Sequence, residues 1–487
     1  MTAESAVDAP ADPARWRALA VCLVAGGMTL LDVSIVNVAL PTLRSGLRAD
    51  DSDVQWIVAG YALAFGVALV PAGRLGDARS RRSIFMVGIA LFTLASAAAG
   101  ASPSPVFLSV ARVLQGLAAG LISPQVSGFI QNLFRGPERG RAFGLFGASI
   151  GISTAVGPLL GGLLVRLGGP DFGWRLVFYV NVPIGIVLLV MAHRLLPSTR
   201  GTRRQSLDPL GVVLFAAAVL LVLIPLVEGR QGAPLSDRPW WLLAPAVVLL
   251  GMFYLWERRW RARGKETLIE LSLLKVRSYT FGLALGTFYF AGFTAIFLVV
   301  TLYLQVGLGY SALEAGATQT PFAIGSAVAA VLGGRLVSRF GRLLAVVGLT
   351  LVIAGLLAID LLVPQLSSSV SPKLAPAFLA AGFGGGLVIS PNVTLTLAEV
   401  NPAQAGSGGG MLQTAQRVGS AIGVAIVLAQ FFGRVASSGG QDYAGALSVS
   451  LRTTIALVGV ALLFALADLA RRRTAASHPE PRPAAGG

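Results

Sequence analysis

Residues 73–82 read GRLGDARSRR, and residues 334–343 read GRLVSRFGRL. At a constant offset of 261 positions, Gly73, Arg74, Leu75 and Arg81 recur as Gly334, Arg335, Leu336 and Arg342. Each copy closes a long apolar run and opens a short basic loop. Four identities over ten residues are few by themselves. Their equivalent surroundings give them weight and point to a duplicated chain.

Outward from the two copies, apolar runs of spanning length fill the sequence. A helix that crosses a bilayer takes about 20 residues. Such runs fall at 17–40, 54–72, 83–102, 105–131, 142–165, 174–196, 209–228, 240–256, 280–304, 314–334, 343–363, 375–397, 409–433 and 449–470. The first loop copy follows the second run, and the second copy follows the tenth. Two halves of six runs each, 1–6 and 9–14, place both loops alike and leave runs 7 and 8 as an insertion. The fold class is therefore an all-α integral membrane protein with fourteen transmembrane helices, two six-helix bundles plus two inserted central helices. The expected division is an N-terminal segment at 1–16, a bundle at 17–196, the inserted helices and loops at 197–279, a second bundle at 280–470, and a disordered tail at 471–487. Duplicated halves with a site at the bilayer midplane are a transporter architecture.

Composition agrees. Hydrophobic residues make up 55% of the 487 residues and charged ones only 12%, where soluble domains hold about 25% charged. This excludes a disordered chain, a secreted disulfide scaffold and an ordinary cytosolic enzyme. The net charge of +16 does not call for nucleic acid, because basic residues collect in the cytoplasmic loops of membrane proteins. With the N-terminus inside, 27 Lys and Arg fall in inner segments and nine in outer ones. That bias predicts an even number of spans with both termini cytoplasmic. The first 14 residues lack the basic start of a cleavable signal, so helix 1 is expected to be an uncleaved anchor. The single cysteine, Cys22, reads as a small core residue. His193 and His478 have no ligand partners nearby in sequence, so no metal site is expected.

An ionisable residue deep in a span is costly and is by default a functional hypothesis. Three stand out: Asp32, Arg112 and Arg417. Asp32 reads either as a carboxylate that loads and releases a proton or as a clamp on a basic neighbour. Arg112 shares a helix face with Gln115 and Gly116, as a switching partner of an acid or as a static clamp. Arg417 fits structural and gating use equally. The acids Glu228, Asp360, Glu399 and Asp468 lie near span ends, where an interfacial position suffices. Gly147, Gly151, Thr154, Pro158 and Gly161 form a small-residue stripe on helix 5 that lets another helix approach, and Pro158 favours a kink. Glycines recur at 382–386 and 406–410. Trp174, Trp240, Trp241 and Trp256 sit at span ends as interfacial anchors. Trp56, Tyr61 and Phe65 share a face of helix 2, a candidate cavity wall. The chain holds no GxxxxGK[ST] nucleotide loop and no HExxH.

These motifs resemble the major facilitator superfamily, and within it the fourteen-helix drug:proton antiporter branch. GRLGDARSRR at 73–82 is similar to that family's loop signature, with Asp77 at the acid position, Arg81 and Arg82 at the basic end, and Ser80 where the family has glycine. RVLQG at 112–116 resembles the helix 4 signature through Arg112 and Gly116. GPLLGG at 157–162 resembles the antiporter signature of helix 5 through Gly157, Pro158 and Gly161. LDVSIVNVALP at 31–41 resembles the helix 1 signature of the branch through Asp32, Asn37 and Pro41, and WRLVFYVNVPIG at 174–185 is also similar to it.

The resemblance implies a monomeric exporter in the cytoplasmic membrane of a bacterium. It would move lipophilic or cationic molecules out in exchange for protons, with no cofactor beyond the proton gradient. Asp32 and Arg112 would couple to the proton. Asp32, Asn37, Gln115, Trp56 and Tyr61 would line the substrate cavity. Asp77, Arg81 and Arg82 would hold an inner gate, and Gly157, Pro158 and Gly161 would let helix 5 bend. Ser338 at the acid position of the second loop makes that gate unlike the first. One deep acid favours neutral or monovalent lipophiles over divalent cations. The rival readings are export of one dedicated metabolite, lipid or siderophore, proton-coupled uptake, and a membrane scaffold that transports nothing.

Overall fold

A computed structural model describes residues 14–197, 208–227, 238–265, 267–269, 271–363, 370–401 and 404–477. Its helices are α1 (Ala14–Leu47), α2 (Asp51–Ala78), α3 (Arg81–Gly100), α4 (Pro105–Leu133), α5 (Gly136–Tyr179), α6 (Asn181–Leu195), α7 (Pro209–Val227), α8 (Leu243–Ala262), α9 (Arg277–Leu302), α10 (Ala312–Phe340), α11 (Leu343–Leu362), α12 (Val370–Thr396), α13 (Ala405–Ser437) and α14 (Tyr443–Ser477). The α5 run bends at Gly169, whose φ of 69° breaks the helical ladder. It thereby supplies one span at Gly136–Gly169 and the start of the next at Asp171–Leu195, most of which is α6. With that division, fourteen helices among the described residues are long and apolar enough to cross a bilayer. The eighth span, read as 240–256, runs to Ala262, because Arg258, Arg259 and Arg261 extend the helix past the apolar stretch.

Local chemistry sets the helix starts. Ser80 caps α3 by accepting from Ser83 N at 3.3 Å, so serine serves where the related signature has glycine. Ser104 caps α4 through Phe107 N, with Pro105 in the first turn. Asp50 with Asp53, and Ser311 with Glu314, close capping boxes on α2 and α10.

The chain packs as two bundles, each with its own apolar cluster. Phe85, Phe92, Phe129 and Phe143 lie in the N-terminal one, and Phe293, Phe322, Phe378 and Phe431 in the C-terminal one. Lipid offers tails as apolar as leucine, so close backbone approach rather than burial from water joins helices in a membrane. The repeat glycines show this. A Cβ on Gly73 of α2 would lie 2.3 Å from Gly406 O of α13, in the opposite half. A Cβ on Gly334 of α10 would lie 2.4 Å from Gly140 O of α5, again across the halves. Each repeat copy therefore places its glycine where one half touches the other. Between them α7 packs on α2 and α13, with Phe215, Val219 and Leu223 against Ala59 and Leu63. Helix α8 packs on α7 and leaves Val247, Val248 and Leu255 exposed for lipid.

Helix α14 runs on to Ser477; arginine and alanine are strong helix formers. One expectation needs correction. Trp174 is no interfacial anchor. It is fully buried, over Gly46 and in contact with Phe178, because the bend at Gly169 turns it inward. Residues 1–13, Glu228, His478 and the tail beyond 477 lie outside the described residues.

Candidate functional site

Asp32 of α1 is fully buried and accepts from three side chains. Arg112 Nη1 lies 2.5 Å from Oδ2, Asn181 Nδ2 lies 2.8 Å from Oδ1, and Gln115 Nε2 lies 3.2 Å from Oδ1. Arg112 also donates to Ile57 O and Gln115 Oε1, at 3.1 and 3.0 Å. Gln115 reaches on to Ser96 Oγ at 2.7 Å. Tyr61 stacks its ring 4.3 Å below the guanidinium and donates its hydroxyl to Thr29 O. Five helices, α1, α2, α3, α4 and α6, converge on one carboxylate. A buried charge is tolerable only when paired and hydrogen-bonded, and here both members of the pair are.

Of the five residues expected to line a substrate cavity, three meet one another and two do not. Asp32, Gln115 and Tyr61 come together, but in this closed network. Asn37 lies on the exposed surface of α1 and Trp56, 45% exposed, on that of α2. Both stand apart from the network, because helix rotation turns them away from α4. A cavity of about 70 Å³ lies between the halves. Its walls come from α1, α4, α5, α9, α12 and α13, including Leu30, Phe146, Phe290 and Leu412. Its polar members include Gln413, Gln416, Arg417 and Ser420, and among the described residues no acid lines it. The expected cavity carboxylate, Asp32, is on the far face of α1.

The gate residues divide. Asp77, with a fully buried side chain, pairs with Arg81 at 2.6 Å. It also accepts from Gly406 N, Ser407 N and Ser407 Oγ at 3.1, 2.8 and 2.9 Å. A carboxylate from one half thus caps the first turn of α13 in the other, where free amides and the helix dipole favour negative charge. Arg81 further donates to Gly128 O at 3.1 Å. Arg82 does not join this gate. It binds His193 at the end of α6 within its own bundle, because the start of α3 points it to the opposite side from Arg81. In the second loop copy Ser338 is exposed. Arg342 takes its aspartate from α14 instead, Asp468 at 2.6 Å, and adds Asn392 and Ser278 O. Asp468, read as a simple end residue, is thus the substitute for the missing loop acid.

On helix 5, a Cβ on Gly157 would lie 2.2 Å from Ser34 Cβ, and Gly161 faces Ile35. Both glycines seat α5 on α1, while Pro158 meets Gly316 of α10. The run GASIG at 147–151 spells the GxSxG pattern of a nucleophile elbow. It lies within α5 rather than at a strand-to-helix turn, and Ser149 donates to Phe146 O at 2.8 Å. The sequence reading missed Asn181, Ser96 and Ser407. Asn181 had a visible signal, an amide alone in the apolar run VFYVNVPIG.

Comparison with known proteins agrees with this architecture. The family model described as Major Facilitator Superfamily matches residues 22–424. A protein named as a probable actinorhodin transporter, from Streptomyces coelicolor, is 39% identical over 87% of this chain and 73% of its own. The puromycin resistance protein pur8 of Streptomyces alboniger is 37% identical over 87% of this chain and 83% of its own. Among solved structures, the human organic anion transporter MFSD10 superposes with a TM-score of 0.65 at 15% identity, covering 92% of this chain and all of that one. At that identity the likeness bears on the fold alone. Fold, repeat, motifs and family model converge: the chain belongs to the Major Facilitator Superfamily and is a transporter.

Proposed function

We propose that this chain exports antibiotic or drug-like molecules in exchange for protons, by alternating access across a bacterial cytoplasmic membrane. The observation that carries the proposal is the Asp32–Arg112 pair. It sits fully enclosed on α1 and α4, and those two helices also wall the cavity through Leu30, Ser123 and Ser127. A proton on Asp32 cancels the charge that holds Arg112, so α1 and α4 lose an ion pair. Its release restores that pair. Protonation and cavity shape are thereby tied to the same two helices. The names of the relatives, an actinorhodin transporter and a puromycin resistance protein, support antibiotics as cargo.

The contacts around Asp77, Gly73, Gly140 and Gly334 close the ends of the bundles that carry the Arg-rich loops. By the distribution of basic residues that end is cytoplasmic, which puts the termini there as well. One chain carries both bundles and the cavity between them, so a single copy suffices. One charge crossing roughly 100 mV supplies about 2.3 kcal/mol, and no nucleotide is required.

The test uses inside-out vesicles with an acidified lumen, a pH dye, and a panel of antibiotics that includes puromycin. Wild type should discharge the gradient on addition of a cargo, and Asp32→Asn should not. Equal discharge by the variant would remove Asp32 from the coupling path. No response to a broad panel would refute drug export.

A further inference from the structure

The cavity holds a cation without a counter-ion. Among the described residues, Arg417 makes no hydrogen bond and no ion pair; its guanidinium lies 4.4 Å above the Phe65 ring. Arg417 is half-buried, whereas three fully buried arginines each have an aspartate: Arg81 with Asp77, Arg112 with Asp32, Arg342 with Asp468. Leaving a charge unpaired inside a membrane bundle is costly, so an arginine kept in this way is expected to meet its anion from outside the protein. Asp32, the buried acid of α1, is already paired with Arg112.

We infer that the cavity takes an aromatic organic anion, with Arg417 as its counter-ion. The inference rests on the exporter reading and names the cargo class of that same site. Gln413 and Arg417 lie one turn apart on the same face of α13, and both line the cavity with Gln416. The planar Arg417 guanidinium matches the in-plane lone pairs of a carboxylate or phenolate, with Gln416 the amide beside it in sequence, while Gln413 donates to Ser123 O and Ser127 Oγ, each at 3.3 Å. Phe146 and Phe290 provide apolar walls for a ring system; at about 70 Å³ the cavity is smaller than such a cargo, so binding goes with a parting of the two halves. Among the described residues no acid lines the cavity, so a cationic cargo would meet Arg417 with none of them to offset the repulsion.

The charge of the cargo also fixes the drive. A proton entering as an anion leaves moves two charges inward. Roughly 100 mV then supports a gradient of about 2,000-fold, against about 40-fold for a neutral cargo and none for a monovalent cation.

The experiment uses the full chain in lipid nanodiscs and three probes on one ring system: 1-pyrenebutyrate, its methyl ester, and 4-(1-pyrenyl)butyl-trimethylammonium. Fluorescence anisotropy reads binding. The anion should bind at least tenfold tighter than the cation. Arg417→Gln should weaken the anion at least tenfold and change the ester by less than twofold, which also shows that the variant is folded. Arg417→Lys should restore part of the anion affinity. Cation or ester binding as tight as the anion in wild type, or the absence of any Arg417-dependent anion binding, overturns the inference. Binding requires no proton exchange, so the two readings fail separately. Arg417-dependent anion binding with no proton discharge in vesicles would sink the exporter and leave the anion site standing.

Discussion

Replacing Asp77 by asparagine should open the Arg-rich end of the transporter. The Asp77 carboxylate accepts three hydrogen bonds from the opposite half, Gly406 N at 3.1 Å, Ser407 N at 2.8 Å and Ser407 Oγ at 2.9 Å. A hydrogen bond to a charged group contributes about 1.5–3 kcal/mol, and a carboxylate at a helix start adds about 0.3–1 kcal/mol. Asparagine keeps one acceptor oxygen but loses the second oxygen and the charge, and it leaves Arg81 without its partner. The net loss across the halves is therefore about 2–3 kcal/mol, which is a shift of roughly 30- to 150-fold in the closed-to-open ratio. A closed state held at ~99% would fall to roughly 40–75%. Spin labels at Arg79→Cys and Ser338→Cys, both exposed and in opposite halves, in a Cys22→Ser background, read that distance directly. Asp77→Asn should add a longer-distance population that wild type lacks. An unchanged distance distribution would show that Asp77 stabilises its own loop and does not hold the halves together.

Other outcomes follow from the same contacts. Gly73→Ala places a Cβ 2.3 Å from Gly406 O, so the labelled distance should widen and transport should fall while the melting temperature changes little; full transport by the variant would disprove the backbone contact. Arg112→Leu leaves a buried aspartate unpaired and should cost about 3–5 kcal/mol. The double variant Asp32→Asn with Arg112→Leu should melt higher than Arg112→Leu alone, as thermal unfolding in detergent would show. Outside the membrane, Asp442 accepts from Gly445 N at 2.7 Å. That backbone bond, and then Arg434, hold its carboxyl below the usual aspartate range. Because the folded value is depressed, this stabilisation is present above about pH 4 and is lost as pH falls below it. Amide exchange at Gly445 should thus be faster in Asp442→Ala than in wild type at pH 7, and the two should converge in acid.

Much of the architecture is a local property of the chain, and it could be read there. Fourteen spans and a bend-prone fifth helix follow from runs of apolar residues and from Pro and Gly, which act on their own neighbours. Asp32, Arg112 and Arg417 were visible because one charge in an apolar run violates a rule that each residue must obey alone. The repeat at 73 and 334 was visible for the same reason, as a pattern in one dimension.

What each charge touches was decided only by tertiary packing. Asn181 reaches Asp32 across 149 residues, and Ser407 reaches Asp77 across 330. Arg81 and Arg82 are neighbours in sequence, yet one seals the halves and the other binds His193. Asn37 and Trp56 carry suitable chemistry and face away from the network. Arg417, ambiguous in the sequence, became the one cation lining the cavity among the described residues only when α13 met α2. These outcomes depend on the rotation of each helix about its axis, about 100° per residue. That rotation is fixed by where glycines let two backbones touch, a property of pairs of helices that no single stretch of sequence contains.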